Sequence, residues 1–148
     1  MRDNLFRGKL TARFADAPKM RPDLVERGII KDGFVYGSLV VDGKRCFICT
    51  SAIVENQFYA NNACATMFEV DPETVGQYTG VNDKNDTKIF EGDVVRAITQ
   101  STQIYTEAVM FKNGAFWYKN WTWFKFQFKF EKTEIIGNIY DNPELLEG

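Results

Sequence analysis

Histidine is absent from this chain. That removes the side chain most used for proton transfer near neutral pH, and the commonest metal ligand, so hydrolases and zinc or iron enzymes are disfavoured. Cysteine is sparse and odd in number, occurring as Cys46, Cys49 and Cys64. With no export signal beside them, three cysteines suit reduced thiols better than a disulfide framework. No apolar run approaches the roughly 18 residues that span a bilayer, and residues 1–8 lack the apolar core of a signal peptide. The expectation is a cytoplasmic protein with no membrane partner. Neither sign of charge dominates: 18 basic and 20 acidic residues leave a formal charge of −2. Overall electrostatics therefore give no reason to seek DNA, RNA or anionic lipid, and any nucleic-acid site has to be a local patch.

What is present is turn chemistry between short strands. The 148 residues suit one domain, or a core domain with a smaller N-terminal piece. A strand is expected in the first half of 5–14, a loop over 15–21, and over 22–27 either a short helix opened by Pro22 and closed by Gly28 or an ordered loop. Residues 34–41 are β-branched and aromatic, Asp42-Gly43 supplies a two-residue turn, and 45–51 is the return strand. Residues 54–68 follow neither period 2 nor 3.6 and end at an expected division near Glu69.

Beyond it, Asp71 can cap a single turn with Pro72 at the first helical position and Glu73 near the positive end, and Gly76 ends that turn. The same grammar returns as Asn142-Pro143-Glu144. Between the two lie predicted strands at 94–99, 104–111, 115–119, 124–130 and 133–140, with turns at Glu91-Gly92-Asp93 and Lys112-Asn113-Gly114. Short strands at this spacing indicate a small barrel or sandwich with little helix.

Several of these stretches together resemble a known family. They are Phe6-Arg7-Gly8-Lys9, Phe34-Val35-Tyr36-Gly37, the run from Val70 to Gly80, Ile89-Phe90-Glu91-Gly92-Asp93-Val94-Val95, and the run from Ile136 to Leu146. The chain is similar over nearly its whole length to the YopX family of phage and prophage proteins. It departs at Asp83-Lys84-Asn85-Asp86-Thr87-Lys88, where the family usually has Asn-Gly. The resemblance implies a C-terminal SH3-like β-barrel and a phage-encoded protein of the bacterial host cytoplasm, and it implies no activity. The expected organisation is a hairpin-containing part over 1–68 and an SH3-like barrel over 69–148.

Four groups of residues offer candidate chemistry, and each has a plainer structural use. Cys46-Phe47-Ile48-Cys49 lies in a strand pattern that puts positions three apart on opposite faces, and only Cys64 could join them, so structural cysteine is preferred. The run from Asp83 begins like a calcium loop, but Lys88 holds the glycine position and Val94 the bidentate glutamate position, which favours a solvated turn. Asp71, Glu73, Glu91 and Asp93 could form a carboxylate pair for hydrolysis, yet a cap and a tight turn account for them. The carboxylate-based enzyme is kept only as an alternative, and no cofactor or metal is expected.

The most pointed stretch is 116–130, which holds nine of the 22 aromatics and three lysines. Phe124, Phe126, Phe128 and Phe130 alternate with Lys125, Gln127 and Lys129, as in a strand that buries one aromatic face. Its other face would carry Trp121, Trp123, Lys125 and Lys129, a set able to stack bases and neutralise phosphates. The plainer reading sends the tryptophans into the core. The leading expectation is a non-enzymatic accessory protein that binds a host or phage protein. Single-stranded nucleic acid comes second, and homo-oligomerisation through sheet edges stays open.

Treating the thiols as structural has a direct check. A chelator should leave the melting temperature unchanged and elemental analysis should find no stoichiometric zinc, whereas one equivalent of bound zinc overturns the assignment.

Overall fold

Glycine and Asx turns cut this chain into β-branched and aromatic pieces, and strand follows strand as a result. The computed structural model describes residues 5–50, 67–98, 104–112, 115–118, 121–122 and 133–147. They are mainly β, in two antiparallel sheets, and no barrel closes among the described residues. The chain divides into two compact units, Asn4–Gln77 and Tyr78–Gly148.

In the first unit β1 (Phe6–Lys9), β2 (Ile30–Lys31) and β3 (Phe34–Asp42) are joined by β4 (Arg45–Cys49) and β5 (Met67–Val70). The predicted hairpin is β3–β4. Asp42 pairs with Arg45, so its loop residues are Gly43 and Lys44, one place later than expected, and Gly43 takes φ +61°. A second hairpin, not read from the sequence, joins β2 to β3 through Asp32 and Gly33, both at positive φ. β5 lies beside β4, β1 beside β3, and Gly76 and Gln77 at the start of β6 (Gly76–Asn82) lie beside β1.

The helical segment between β1 and β2 covers this sheet. α1 (Ala17–Met20) occupies the stretch predicted as a loop, because Pro18 in the first turn removes no hydrogen bond that the helix would make. α2 (Pro22–Glu26) is the predicted short helix, and Gly28 follows it at φ +73°. Leu24, Ile30, Val35, Ile48 and Val70 are buried together, and Phe14 meets Phe68 edge-to-face at 5.9 Å between centroids.

The turn Pro72–Thr74 is built as predicted at its start: the Asp71 carboxylate accepts from Glu73 N at 3.1 Å. Its end differs, since Val75 closes the turn and Gly76 opens β6. Asp71 N donates to Lys9 O at 2.8 Å, and Lys9 N donates to the Thr74 hydroxyl at 2.8 Å. Leu10 also bridges to Val70. The division expected at residue 69 thus falls inside β5, while the two units part between Gln77 and Tyr78.

In the second unit β6 continues from Tyr78 and pairs with β7 (Lys88–Phe90). A five-stranded sheet follows, ordered β11-β10-β9-β8-β12. Its members are β8 (Asp93–Ile98), β9 (Ile104–Lys112), β10 (Ala115–Tyr118), β11 (Trp121–Thr122) and β12 (Thr133–Asn138). Ile89, Val95, Ala97 and Val109 form its buried centre, with Val81, Tyr105 and Ile135 packed against them. The predicted strand 124–130 and the turn residues 113–114 lie outside the described residues.

Two details near the end of the chain differ from expectation. β12 stops at Asn138 rather than at 140, because the Asn138 side-chain oxygen accepts from the N–H groups of Tyr140 and Asp141 at 3.0 and 2.9 Å. Asn142 does not cap the turn Pro143–Leu146 as Asp71 caps its own. Its Oδ1 instead accepts from Asn138 N at 3.3 Å.

Two glycines of the first unit should separate contact from conformation. A Cβ at Gly37 would overlap the Cys49 carbonyl oxygen, whereas one at Gly43 would meet open space but stay at positive φ. Gly37→Ala should therefore cost about 2–3 kcal/mol and Gly43→Ala about 1 kcal/mol, read by urea unfolding. Equal losses would show that β3 and β4 are not so closely apposed at Gly37.

Candidate functional site

The most completely determined polar group is the Asp83 carboxylate, which is buried between the β6–β7 turn and β12. One oxygen accepts from Asn85 N at 2.8 Å and Thr87 N at 3.0 Å. The other accepts from Ile135 N at 3.1 Å, and Lys84 N donates to Thr133 O at 2.8 Å. The carboxylate resembling a calcium ligand is a backbone staple. Asp93, buried after the Gly92 turn, accepts from Phe90 N at 2.8 Å. Asp71 and Glu73 belong to the first unit and Glu91 and Asp93 to the second.

The thiols are also placed by strand geometry. Cys46 packs at the margin of the first unit's core, on the same side of β4 as buried Ile48, and Cys49 has the opposite parity. Cys64 lies outside the described residues.

Of the four aromatic and basic residues singled out by sequence, only Trp121 is among the described residues. It sits in β11, the last strand on its side of the sheet among the described residues, in register with Tyr118 of β10. Trp123, Lys125 and Lys129 lie outside the described residues.

The structure brings together other residues that the sequence reading passed over. In the first unit Arg7 pairs with Tyr36 and Lys9 with Phe34, so two basic and two aromatic side chains share a face of β1 and β3. The Arg7 guanidinium lies 4.2 Å from the Phe34 ring centroid and the Lys9 ammonium 4.4 Å from it. Lys9 Nζ also donates to Asp32 O at 2.7 Å. Arg-x-Lys and Phe-x-Tyr were each visible, and only their register joins them.

On the second unit, Arg96 of β8 stands opposite Glu134 of β12, with Nη2 to Oε2 at 3.0 Å, and Lys84 Nζ lies 3.5 Å from the same oxygen. Ile104, Met110 and Phe111 of β9 are exposed, as is Leu146 of the final turn. A sheet strand with three exposed large apolar side chains is the main surface anomaly here.

The class defined by these features is a small, mainly-β protein whose buried carboxylates hold turns. The YopX family profile, described as YopX protein, matches residues 40–147, and the chain belongs to that family. No curated protein matches the chain. Among solved structures it is similar to protein EF1440 from Enterococcus faecalis, at 26% identity and a TM-score of 0.40. That similarity covers 54% of this chain and 67% of the other.

The surface ion pairs set a pH expectation. A hydrogen bond from Arg96, reinforced by Lys84, holds the Glu134 carboxyl below the usual range, and a hydrogen bond from Arg45 does the same for Glu69. Lowered folded-state values mean that their stabilisation is present above the unfolded carboxylate pKa. It is lost as pH falls through the lower folded value. Arg96→Met combined with Arg45→Met should therefore lose less melting temperature on acidification than the wild type does. The difference should be small for such exposed pairs, and an unchanged acid limb would show that they contribute nothing.

Proposed function

We propose that this YopX-family chain is a non-enzymatic phage or prophage accessory protein that acts in the bacterial host cytoplasm by binding a host or phage protein. The observation that carries this reading is the exposure of Ile104, Met110 and Phe111 on one strand of the second unit's sheet. Large apolar side chains cost free energy in water and recover it when a partner covers them. The local uses of Asp71, Asp83 and Asp93 point the same way, since each accepts from backbone N–H groups. In this reading the part over 69–148 works as an SH3-like barrel, a scaffold that more often presents surfaces than reacting groups; that step is an analogy from fold.

A second reading is single-stranded nucleic acid held by Trp121, Trp123, Lys125 and Lys129. It draws on the place of Trp121 in β11, at the end of the sheet's strand order among the described residues. Base stacking on tryptophan would supply about 1–3 kcal/mol per ring, with phosphate contacts making binding salt-sensitive.

One experiment separates the two. The tagged chain is recovered from host cells during phage growth, with and without nuclease, beside the Met110→Ser, Phe111→Ser variant. A protein partner that survives nuclease and is lost with the variant is the expected result. Capture abolished by nuclease, together with oligonucleotide quenching that Lys125→Glu plus Lys129→Glu removes, would replace the protein reading with the nucleic-acid one.

A further inference from the structure

The final turn forms a shelf on the second unit's sheet. Gly137 of β12 faces Val94 of β8, which in turn faces Ala108 of β9. A Cβ at Gly137 would lie 2.8 Å from Leu145 Cδ1, so the missing side chain is what lets the turn Pro143–Leu146 settle onto the strands. This turn also packs against β9. Two residues beyond Ala108, about 7 Å along the strand and with the same parity, is Met110, 52% exposed. Leu146, on the turn itself, is 43% exposed. Both are flexible, polarisable or branched apolar side chains held on fixed backbone beside one another's elements.

The final turn itself carries charge of one sign. Residues 139–147 contain Asp141, Glu144 and Glu147 and no lysine or arginine, while Glu134, farther back in β12, is paired with Arg96 and Lys84. Glu144 and Glu147 are exposed on either side of Leu146. Such a rim repels phosphates and anionic lipid, and it attracts a segment that carries cations next to an apolar anchor.

We infer that Met110 and Leu146, rimmed by Glu144 and Glu147, form a docking surface for a basic protein segment whose lysines or arginines flank a leucine-, methionine- or phenylalanine-type anchor. This rests on the protein-binding reading above and names the chemistry of its partner. The apolar pair supplies the contact, and the carboxylates select the sign of the partner and speed its encounter.

The probe is a displayed library of random dodecapeptides panned on the intact chain, with enriched peptides then measured by fluorescence anisotropy at low and high salt. Enrichment of sequences that combine Lys or Arg with a large apolar residue is expected. Met110→Ser with Leu146→Ser should weaken their binding at least tenfold while leaving the melting temperature near wild type. Glu144→Lys with Glu147→Lys should weaken it comparably and flatten its salt dependence, and Glu144→Asp with Glu147→Asp should restore most of it.

Failure to enrich any peptide, or binding indifferent to both double variants, overturns the inference. Enriched peptides that are acidic or uncharged, yet still lost with the Met110 and Leu146 variant, overturn the partner chemistry and leave the broader protein-binding reading standing. Self-association in sedimentation that disappears in the same variant makes a second copy the occupant and likewise overturns it.

Discussion

Three backbone N–H groups converge on one buried carboxylate, that of Asp83, and the second unit depends on that convergence. An unpaired buried carboxylate is strongly disfavoured, and so are buried N–H groups without acceptors. The geometry in which Asn85, Thr87 and Ile135 all donate to Asp83 removes both penalties together. It also fixes two things at a distance in sequence: the shape of the β6–β7 turn and the outer edge of β12. With Ile135 N and Thr133 O engaged by Asp83 and Lys84, part of that edge has no bonding groups to offer another strand. Contact is then directed away from edge pairing here and toward side chains on the sheet.

The turns were the most legible part of the fold. Asp71-Pro72-Glu73, Gly43 and Gly92 each carry a backbone requirement that is local, and each is met within a few residues. Asp32-Gly33 carries the same signal, but the strand before it is only two residues long and too short to show a period of its own. Asn142 shows where local grammar fails. Its neighbours copy the Asp71 turn, but Asn138 lies within reach of its oxygen, and a longer-range donor displaces the cap. The division of the chain was less legible still, since the hydrogen bonds that join Lys9 with residues 71 and 74 span more than sixty residues and no local pattern encodes them.

Candidate binding residues were legible only by composition. The density of aromatics over 116–130 marks Trp121, Trp123, Lys125 and Lys129, whereas Met110 and Leu146 look in sequence like ordinary core residues. Parity within β9 does not distinguish them either, because Met110 shares its face with Ala108, which lies opposite buried Val94. Met110 is exposed where Ala108 is partly covered, a difference that only the folded sheet sets. The clustering of Arg7 and Lys9 about Phe34 depends in the same way on the register of β1 against β3, a property of two strands and of neither alone.

These placements bear on how such a surface could be kept soluble. Apolar side chains left in water on a sheet invite indiscriminate association, and natural sheets counter this with charge and with blocked edges. Both counters are present around β9. Arg96, Glu134 and Lys84 form a charged patch toward one end of the same sheet, and carboxylates surround Leu146 at the turn. Like-charged rims repel one another when two copies approach with the same surface, while leaving a partner of opposite sign unopposed. A glutamate rim beside an apolar pair therefore discriminates against self-pairing and in favour of a basic partner through a single arrangement of charge.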